Sequence, residues 1–443
     1  LTTIVPGRHH RLVFHLLLAV GLIVATAAIL VPAGQGWDFA NFYDTGRRAL
    51  AGQLTDIYDP TTLIDGERPQ GRMAFWGAPL SAWLYAPLGL FPPAVALVVL
   101  KLAGTLAYAA GLVLLYRMLR PTIERAGADV EWFLAGFMGL VLLFQPFWTV
   151  YRVGGQTTPF VFLLLVLGLG AYLDRRMVAV AAAMVLVVLL KPAFAFVPAF
   201  LLLFSGRRYA LALVGVAALA GLLSLALFGA ELHREFLDIV RRGSGKPSPW
   251  PFNSSIYIVA DAFRPIANQI PVPRAGGWLP DALRMALKLV VLATFLRLVL
   301  VSRREPWSDT QRRLFYYLAA IAFCLLISQV VWEHYLATLF IPLAFLAAGF
   351  PLLPRRARWH LGIIFGLAVL QNLVLVLLFR DHVPVTTTAT LLAVSLVKAG
   401  PLLGTLLFLW LYEREVFRLI GRATAHPAGP ATAPGSLAPG AIA

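Results

Sequence analysis

Apolar runs long enough to cross a bilayer recur along the whole chain. A hydrocarbon core about 30 Å thick needs about 20 apolar residues per helix. Such runs lie at 12–33, 93–116, 133–150, 157–173, 209–229, 283–302, 314–331, 336–353, 361–379 and 388–412. The pattern predicts an all-α polytopic membrane protein with ten full spans.

One further apolar segment, 177–204, reads MVAVAAAMVLVVLLKPAFAFVPAFLLLF. Basic residues decide how it crosses. They cluster between runs, at Arg117/Arg120/Arg125, Arg175/Arg176, Arg207/Arg208, Arg303/Arg304/Arg312/Arg313 and Arg355/Arg356/Arg358, and such clusters belong on cytoplasmic loops. A single crossing by 177–204 puts Arg207 and Arg208 outside and inverts every later loop. Two short arms joined at Lys191-Pro192 keep all the clusters inside. Proline removes a backbone donor and stops the first arm, and non-helical backbone at that depth needs protein cover or a wet cavity. The expectation is a broken helical hairpin, giving about 12 membrane segments in all.

The run at 12–33 begins beside Arg8 and Arg11 without a small-residue cleavage site, so it reads as a retained anchor. Two outer loops are long, 34–78 and 230–282, and amphipathic helices are expected in them. Residues 1–420 form a single membrane domain. Residues 421–443 form an Ala/Pro-rich cytoplasmic tail with nothing to bury, which reads as disordered.

Composition narrows the class. The chain of 443 residues is 60% hydrophobic and 13% charged, against about 45–50% and about 25% in soluble domains. That excess cannot hide in one soluble core, which excludes a soluble enzyme, a disordered scaffold and a disulfide-stapled module. The formal charge of +16 suggests nucleic acid in a soluble protein. Here it is spread over short interhelical clusters with no basic stripe among aromatics, so no nucleic-acid partner is expected. Cys324 is the only cysteine, so no internal disulfide forms.

The chemistry concentrates in the predicted outer loops. Residues 37–50, WDFANFYDTGRRAL, place Phe39, Phe42, Tyr43, Gly46, Ala49 and Leu50 on one helix face. Asp38, Asn41, Thr45 and Arg48 fall on another. This reads as an amphipathic helix on the outer surface, aromatic face down and polar face toward water or a cavity. Asp38 has two readings from its position, a helix N-cap or a catalytic carboxylate.

Five motifs follow in order. They are Asp38-Phe39 with Tyr43, Arg47-Arg48-Ala49-Leu50-Ala51-Gly52 and Ile57-Tyr58-Asp59-Pro60; then Gly155-Gln156-Thr157-Thr158-Pro159; Lys191-Pro192; Asn253-Ser254-Ser255; and His334-Tyr335. Together they resemble glycosyltransferase family 87, polytopic enzymes of the GT-C fold that use polyprenyl-phosphate sugars. Phe75-Trp76-Gly77-Ala78-Pro79 departs from the family's aromatic-Tyr-Pro-Pro, at the entrance expected to shape the acceptor site.

The resemblance implies a GT-C-type fold and inverting transfer of a hexose, mannose foremost, to a lipid or glycan acceptor. The site would lie on the outer, periplasmic face of a bacterial plasma membrane. The base maps onto Asp38. The reaction needs a carboxylate or histidine to deprotonate the acceptor hydroxyl, and fixed cations or donors for the departing lipid phosphate. Lys191, His334, Arg152, Gln156, Asn253 and Arg48 are the candidates to bind donor phosphate and sugar.

Each has a plainer reading. Lys191 within a membrane hairpin usually serves function, but snorkels to the interface in the plain account. Arg152 offers two-pronged phosphate pairing or sits as an ordinary interfacial arginine. Gln156 contacts sugar or caps the next helix, and His334 binds donor or belongs to an aromatic belt. Asn253 and Trp250 meet sugar or order a proline-stiffened loop. No metal or other cofactor is expected: Asp56 and Asp59 lack paired ligand spacing, and no glycine-rich nucleotide loop precedes a helix in an aqueous segment. The competing function is a secondary transporter or flippase, since broken helices with a buried lysine also build carrier sites.

Overall fold

A computed structural model describes residues 9–31, 37–58, 75–152, 154–244, 253–263, 278–380 and 388–423. Among these, regular structure is helical, apart from an isolated antiparallel bridge between Asn253 and Trp332.

The chain opens with α1 (His9–Leu30), whose apolar side chains are largely exposed, and α2 (Trp37–Ala51). The short α3 (Ser81–Tyr85) leads into α4 (Pro93–Arg125), 33 residues entered through a proline that needs no intrahelical donor. Lys101 on α4 donates to the carbonyls of Ala28 (3.1 Å) and Val31 (2.8 Å), satisfying the C-terminal end of α1. Next come α5 (Val130–Leu143), capped by Asp129 through the amides of Glu131 and Trp132, and α6 (Gln145–Arg152), bent 46° from it. Then follow α7 (Thr158–Leu173) and α8 (Met177–Leu190). Lys191 breaks α8 in extended geometry (φ −149, ψ 91). A tight turn over Pro192–Ala195 then leads to α9 (Phe196–Leu202). The predicted break therefore falls at Lys191-Pro192.

The second half runs α10 (Gly206–Ser244), α11 (Ile258–Asp261), α12 (Trp278–Ser302) and α13 (Asp309–Ile327), the last entered through a Ser308/Gln311 capping box. A tight helical stretch, Glu333–Leu339, continues into α14 (Phe340–Ala348). The chain closes with α15 (Arg355–Arg380), α16 (Thr388–Leu411) and α17 (Glu413–Ala423).

Six of these helices are long and apolar enough to cross a membrane: α1, α4, α10, α12, α13 and α16. The bent α5–α6 pair makes a seventh if it counts as one span. The protein is a multi-pass membrane protein. Its burial pattern agrees, because α13 and α14 sit at the centre with nearly every side chain covered. The periphery exposes Leu16, Ile23, Leu106, Leu211, Leu219, Leu222 and Leu289, a surface suited to lipid.

Residues 230–244, the start of the second long outer loop, are helical, in keeping with the amphipathic helices expected there, and follow the apolar run of α10 past a kink at Gly229 (φ 70, ψ 169). Only glycine takes that backbone conformation without strain. The helix then turns Leu232, Phe236 and Ile239 onto the aromatic cluster around α2. The tail starts later than composition suggests, since α17 runs to Ala423; 424–443 lie outside the described residues.

Helix α4 fixes the two ends of the molecule. Near its start, Leu97 and Leu100 pack beside Phe39 and Gly155. At its end, Arg125 donates to the carbonyl of Arg422 at 3.4 Å. At 1.5 Å per residue these points are about 40 Å apart, so α2 and α17 occupy opposite faces of the membrane.

Candidate active site

The site begins with how α2 is held. Phe39 and Tyr43 join the cluster with Leu100, Phe42 stacks on Tyr85 at 4.6 Å, and the Tyr43 hydroxyl donates to the Phe91 carbonyl at 2.8 Å. Gly46 lies so close to the Tyr85 carbonyl that a Cβ there would collide with it. The helix does not lie flat on the membrane with its polar face in water: between Phe39 and Leu50 only Arg47 and Leu50 are exposed. The aromatic side fixes the helix against α3 and α4, and Asn41, Thr45 and Arg48 on the polar side are buried as well.

Asp38 stands in the first turn of α2, and its carboxylate accepts a hydrogen bond from the side-chain amide of Gln156, 118 residues away. Asp38 is the second residue of α2, inside the helix rather than at its N-cap, which sets the capping reading aside. Burial pushes the Asp38 carboxyl above the usual carboxylate range, and the neighbouring Lys191 ammonium opposes that rise.

Gln156 is delivered by the turn between α6 and α7, where Gly154 (φ 84) and Gly155 (φ 91) adopt left-handed geometry. At Gly155 a Cβ would also press on Leu100 at 3.1 Å and Leu97 at 3.2 Å, so glycine is needed twice over. Gln156 does not cap α7. Its Oε1 accepts from Lys191 Nζ at 2.7 Å while its amide nitrogen donates to Asp38.

Lys191 is buried at the break after α8 rather than snorkelling to solvent. Its Nζ lies 3.4 Å from His334 Nε2 and 4.8 Å from the centre of the Tyr335 ring, a cation–π distance. His334 is buried too, which separates it from a lipid-facing aromatic belt. Asp38, Gln156, Lys191 and His334 thus form one continuous polar chain drawn from four separate segments.

A second layer holds His334 in place. Asn253 Oδ1 accepts from the amides of Val331 and Ser255, both at 2.9 Å, and its Nδ2 donates to the Gln329 carbonyl at 2.9 Å. Ser254 N donates to the Val331 carbonyl at 2.6 Å. The structure therefore gives Asn253 a clamp on the backbone before His334, in keeping with the loop-ordering reading. Next to His334, Glu333 forms a fully buried ion pair with Lys398 of α16. Gln371 ties the two sides, donating to Ser254 Oγ at 3.2 Å and to the Lys398 carbonyl at 2.5 Å. Lys398 was missed in the sequence. Its signal was there, a lysine inside an apolar run, which seldom persists without a partner.

Arg48 does not join the chain. It pairs with Asp44 at 3.2 Å, about 15 Å along the helix from Asp38. Its Nη1 is buried without a partner among the described residues. Arg152 closes α6, but its side chain, like Trp250, lies outside the described part. A small cavity of about 10 Å³ adjoins Gln156, lined by Lys101, Gly155 and Tyr151 among others, with room for about one water. Among the described residues no three histidine, cysteine or acidic side chains gather as metal ligands would.

Residues 75–269 match the model of glycosyltransferase family 87, which supports the assignment drawn from the motifs and identifies an enzyme. The match takes in Gln156, Lys191 and Asn253 and leaves Asp38 and His334 outside, joined to it through the hydrogen bonds above. No curated protein matches the chain. The chain is also similar to the crystal structure of ArnT from Cupriavidus metallidurans bound to undecaprenyl phosphate. The identity is 16%, covering 92% of this chain and 77% of that one, with a TM-score of 0.34. So loose a superposition bears no weight on the fold.

Proposed function

We propose that this family 87 glycosyltransferase moves a hexose, mannose foremost, from a polyprenyl phosphate to a lipid or glycan acceptor at the outer face of a bacterial plasma membrane. The observation that carries the reading is the buried chain Asp38–Gln156–Lys191–His334, which sets a carboxylate and a cation within one amide's length of each other.

Asp38 acts as the base. As the acceptor oxygen attacks the anomeric carbon, its proton passes to the Asp38 carboxylate. The bond from that carbon to the phosphate oxygen breaks, and its electron pair leaves on the lipid phosphate. Lys191 meets the charge that develops there, in surroundings too dry for water to do so. One direct displacement inverts the anomeric configuration. His334 and Gln156 hold Lys191 and orient the donor, and Arg152, Arg48 and Asn253 serve as further donor-phosphate or sugar contacts.

As it stands, the space beside Gln156 admits a water and not a sugar. Ten full spans with the 177–204 hairpin place this end of the bundle outside and every basic cluster inside.

The test is incubation of the purified enzyme with labelled polyprenyl-phosphate hexoses and membrane lipid extracts, with Asp38→Asn alongside. Transfer by the wild type, and transfer reduced at least about a hundredfold in the variant, is expected. Undiminished transfer by Asp38→Asn would move the base elsewhere.

A further inference from the structure

At the membrane face opposite the candidate active site, α17 packs beneath the turn joining α14 to α15. Its Leu419 presses so closely on Gly349 that no side chain fits there. Phe417 seats against Trp307 and Phe315, and Gln311 ties to the Gly421 carbonyl. Beside this anchored helix is a cleft of about 240 Å³. One wall is apolar, with Leu352 and Pro354 accessible over the buried Leu353 and Leu419, and the other carries Glu415, Arg418 and Arg422. The catalytic chemistry does not reach this end, about 40 Å away along α4.

Arg418 and Arg422 are exposed, as are Arg355 and Arg356 at the start of α15. None of these four enters an ion pair among the described residues. One turn beyond Arg355, Trp359 is 66% exposed, and Ile363 follows at 57%. Apolar side chains that open at that level place the cleft where headgroups meet acyl chains. Unpaired arginines there attract anions, because the low polarity on one side strengthens the charge and basic pockets between helices fit lipid headgroups.

We propose that this cleft binds the headgroup of an anionic phospholipid. Arg418 and Arg422 face its phosphate, and Leu352 and Pro354 meet the top of its chains. The two arginines and Glu415 leave one net positive charge, matching a single phosphodiester rather than a dianionic phosphate. The lipid fastens α17 to the bundle from the side that protein does not cover.

Native mass spectrometry of the full chain in mild detergent, titrated with dioleoylphosphatidylglycerol, dioleoylphosphatidylcholine or inorganic phosphate, tests this. One phosphatidylglycerol should be retained in preference to phosphatidylcholine. The double variant Arg418→Gln/Arg422→Gln should weaken its retention about thirtyfold, at about one surface-arginine contribution each. Arg303→Gln/Arg304→Gln, equally exposed between α12 and α13, should leave it unchanged. Should the double variant fail to fold, Glu415→Gln decides: removing the negative charge should tighten retention about fivefold. Equal binding of the two lipids, displacement by inorganic phosphate at matched concentration, preference that survives loss of both arginines, or no change in Glu415→Gln overturns the proposal.

Discussion

Lys191 Nζ sits 2.7 Å from Gln156 Oε1, although the two residues lie 35 positions apart and on different helix ends. Each owes its place to a broken helix: Lys191 to the proline that stops α8, Gln156 to two glycines that end α6. That arrangement holds the pair between the Asp38 carboxylate on one side and the His334 ring on the other.

Asp38→Asn should reduce turnover by about a hundredfold to ten-thousandfold, the range for losing a positioned general base. The amide still meets Gln156, so the fold should survive. Thermal unfolding within a few degrees of wild type, together with lost transfer, is the expected result.

The rate should fall on the acid side with a midpoint above the usual 3.8 of an aspartate, because burial raises the Asp38 carboxyl. Only the deprotonated form can accept a proton, so lowering pH through that raised value removes activity. Lys191 opposes the rise, and in Lys191→Met the acid limb should therefore move to still higher pH. A profile of kcat/KM against pH for both proteins checks the sign.

Lys191→Met should lower kcat more than it raises KM, since the charge it meets develops as the phosphate leaves. His334→Ala keeps the ammonium but removes a neighbour at 3.4 Å. A milder loss, about tenfold, is expected for one hydrogen bond to a charged group. Single-turnover assays separate the two.

Glu333→Gln or Lys398→Met alone should destabilise by about 3–5 kcal/mol, as each leaves an uncompensated buried charge. The double variant should recover much of the loss. Detergent-solubilised unfolding of all three, compared as a cycle, reads the coupling directly.

Gly155→Ala should impair both stability and transfer. Its φ of 91 disfavours a side chain, and the added carbon presses on Leu97 and Leu100. The strain of such a backbone is about 1–3 kcal/mol, and its relief would swing Gln156 away from Asp38. Loss of activity larger than in Gln156→Ala would show that the turn does more than present that amide.

The apolar runs announced helices at nearly every place where the structure has one, including the break at Lys191-Pro192. They did so because a membrane leaves a chain few ways to satisfy its backbone. Boundaries were harder. An amphipathic helix was expected beyond residue 229, but its junction with the preceding span at the Gly229 kink was not, since the apolar run simply ends there.

At the site, residue types were legible and tasks were not. Asp38, Gln156, Lys191 and His334 were each recognisable as polar groups at the expected outer end. Asn253 was equally recognisable, yet its amide is occupied by the backbone at 329, 331 and 255. Lys398 passed unnoticed because its partner, Glu333, lies 65 residues away on the other side of two helices.

By itself, the sequence determined that the chain is a helical membrane protein, that a helix breaks at Lys191-Pro192, and which family its motifs resemble, because hydropathy and proline act locally along a chain. Only the tertiary structure decided that four of its polar residues touch while Arg48 stands apart and Asn253 serves as a clamp. A buried polar group must find its partner wherever packing delivers one, and that choice depends on distances no linear spacing records.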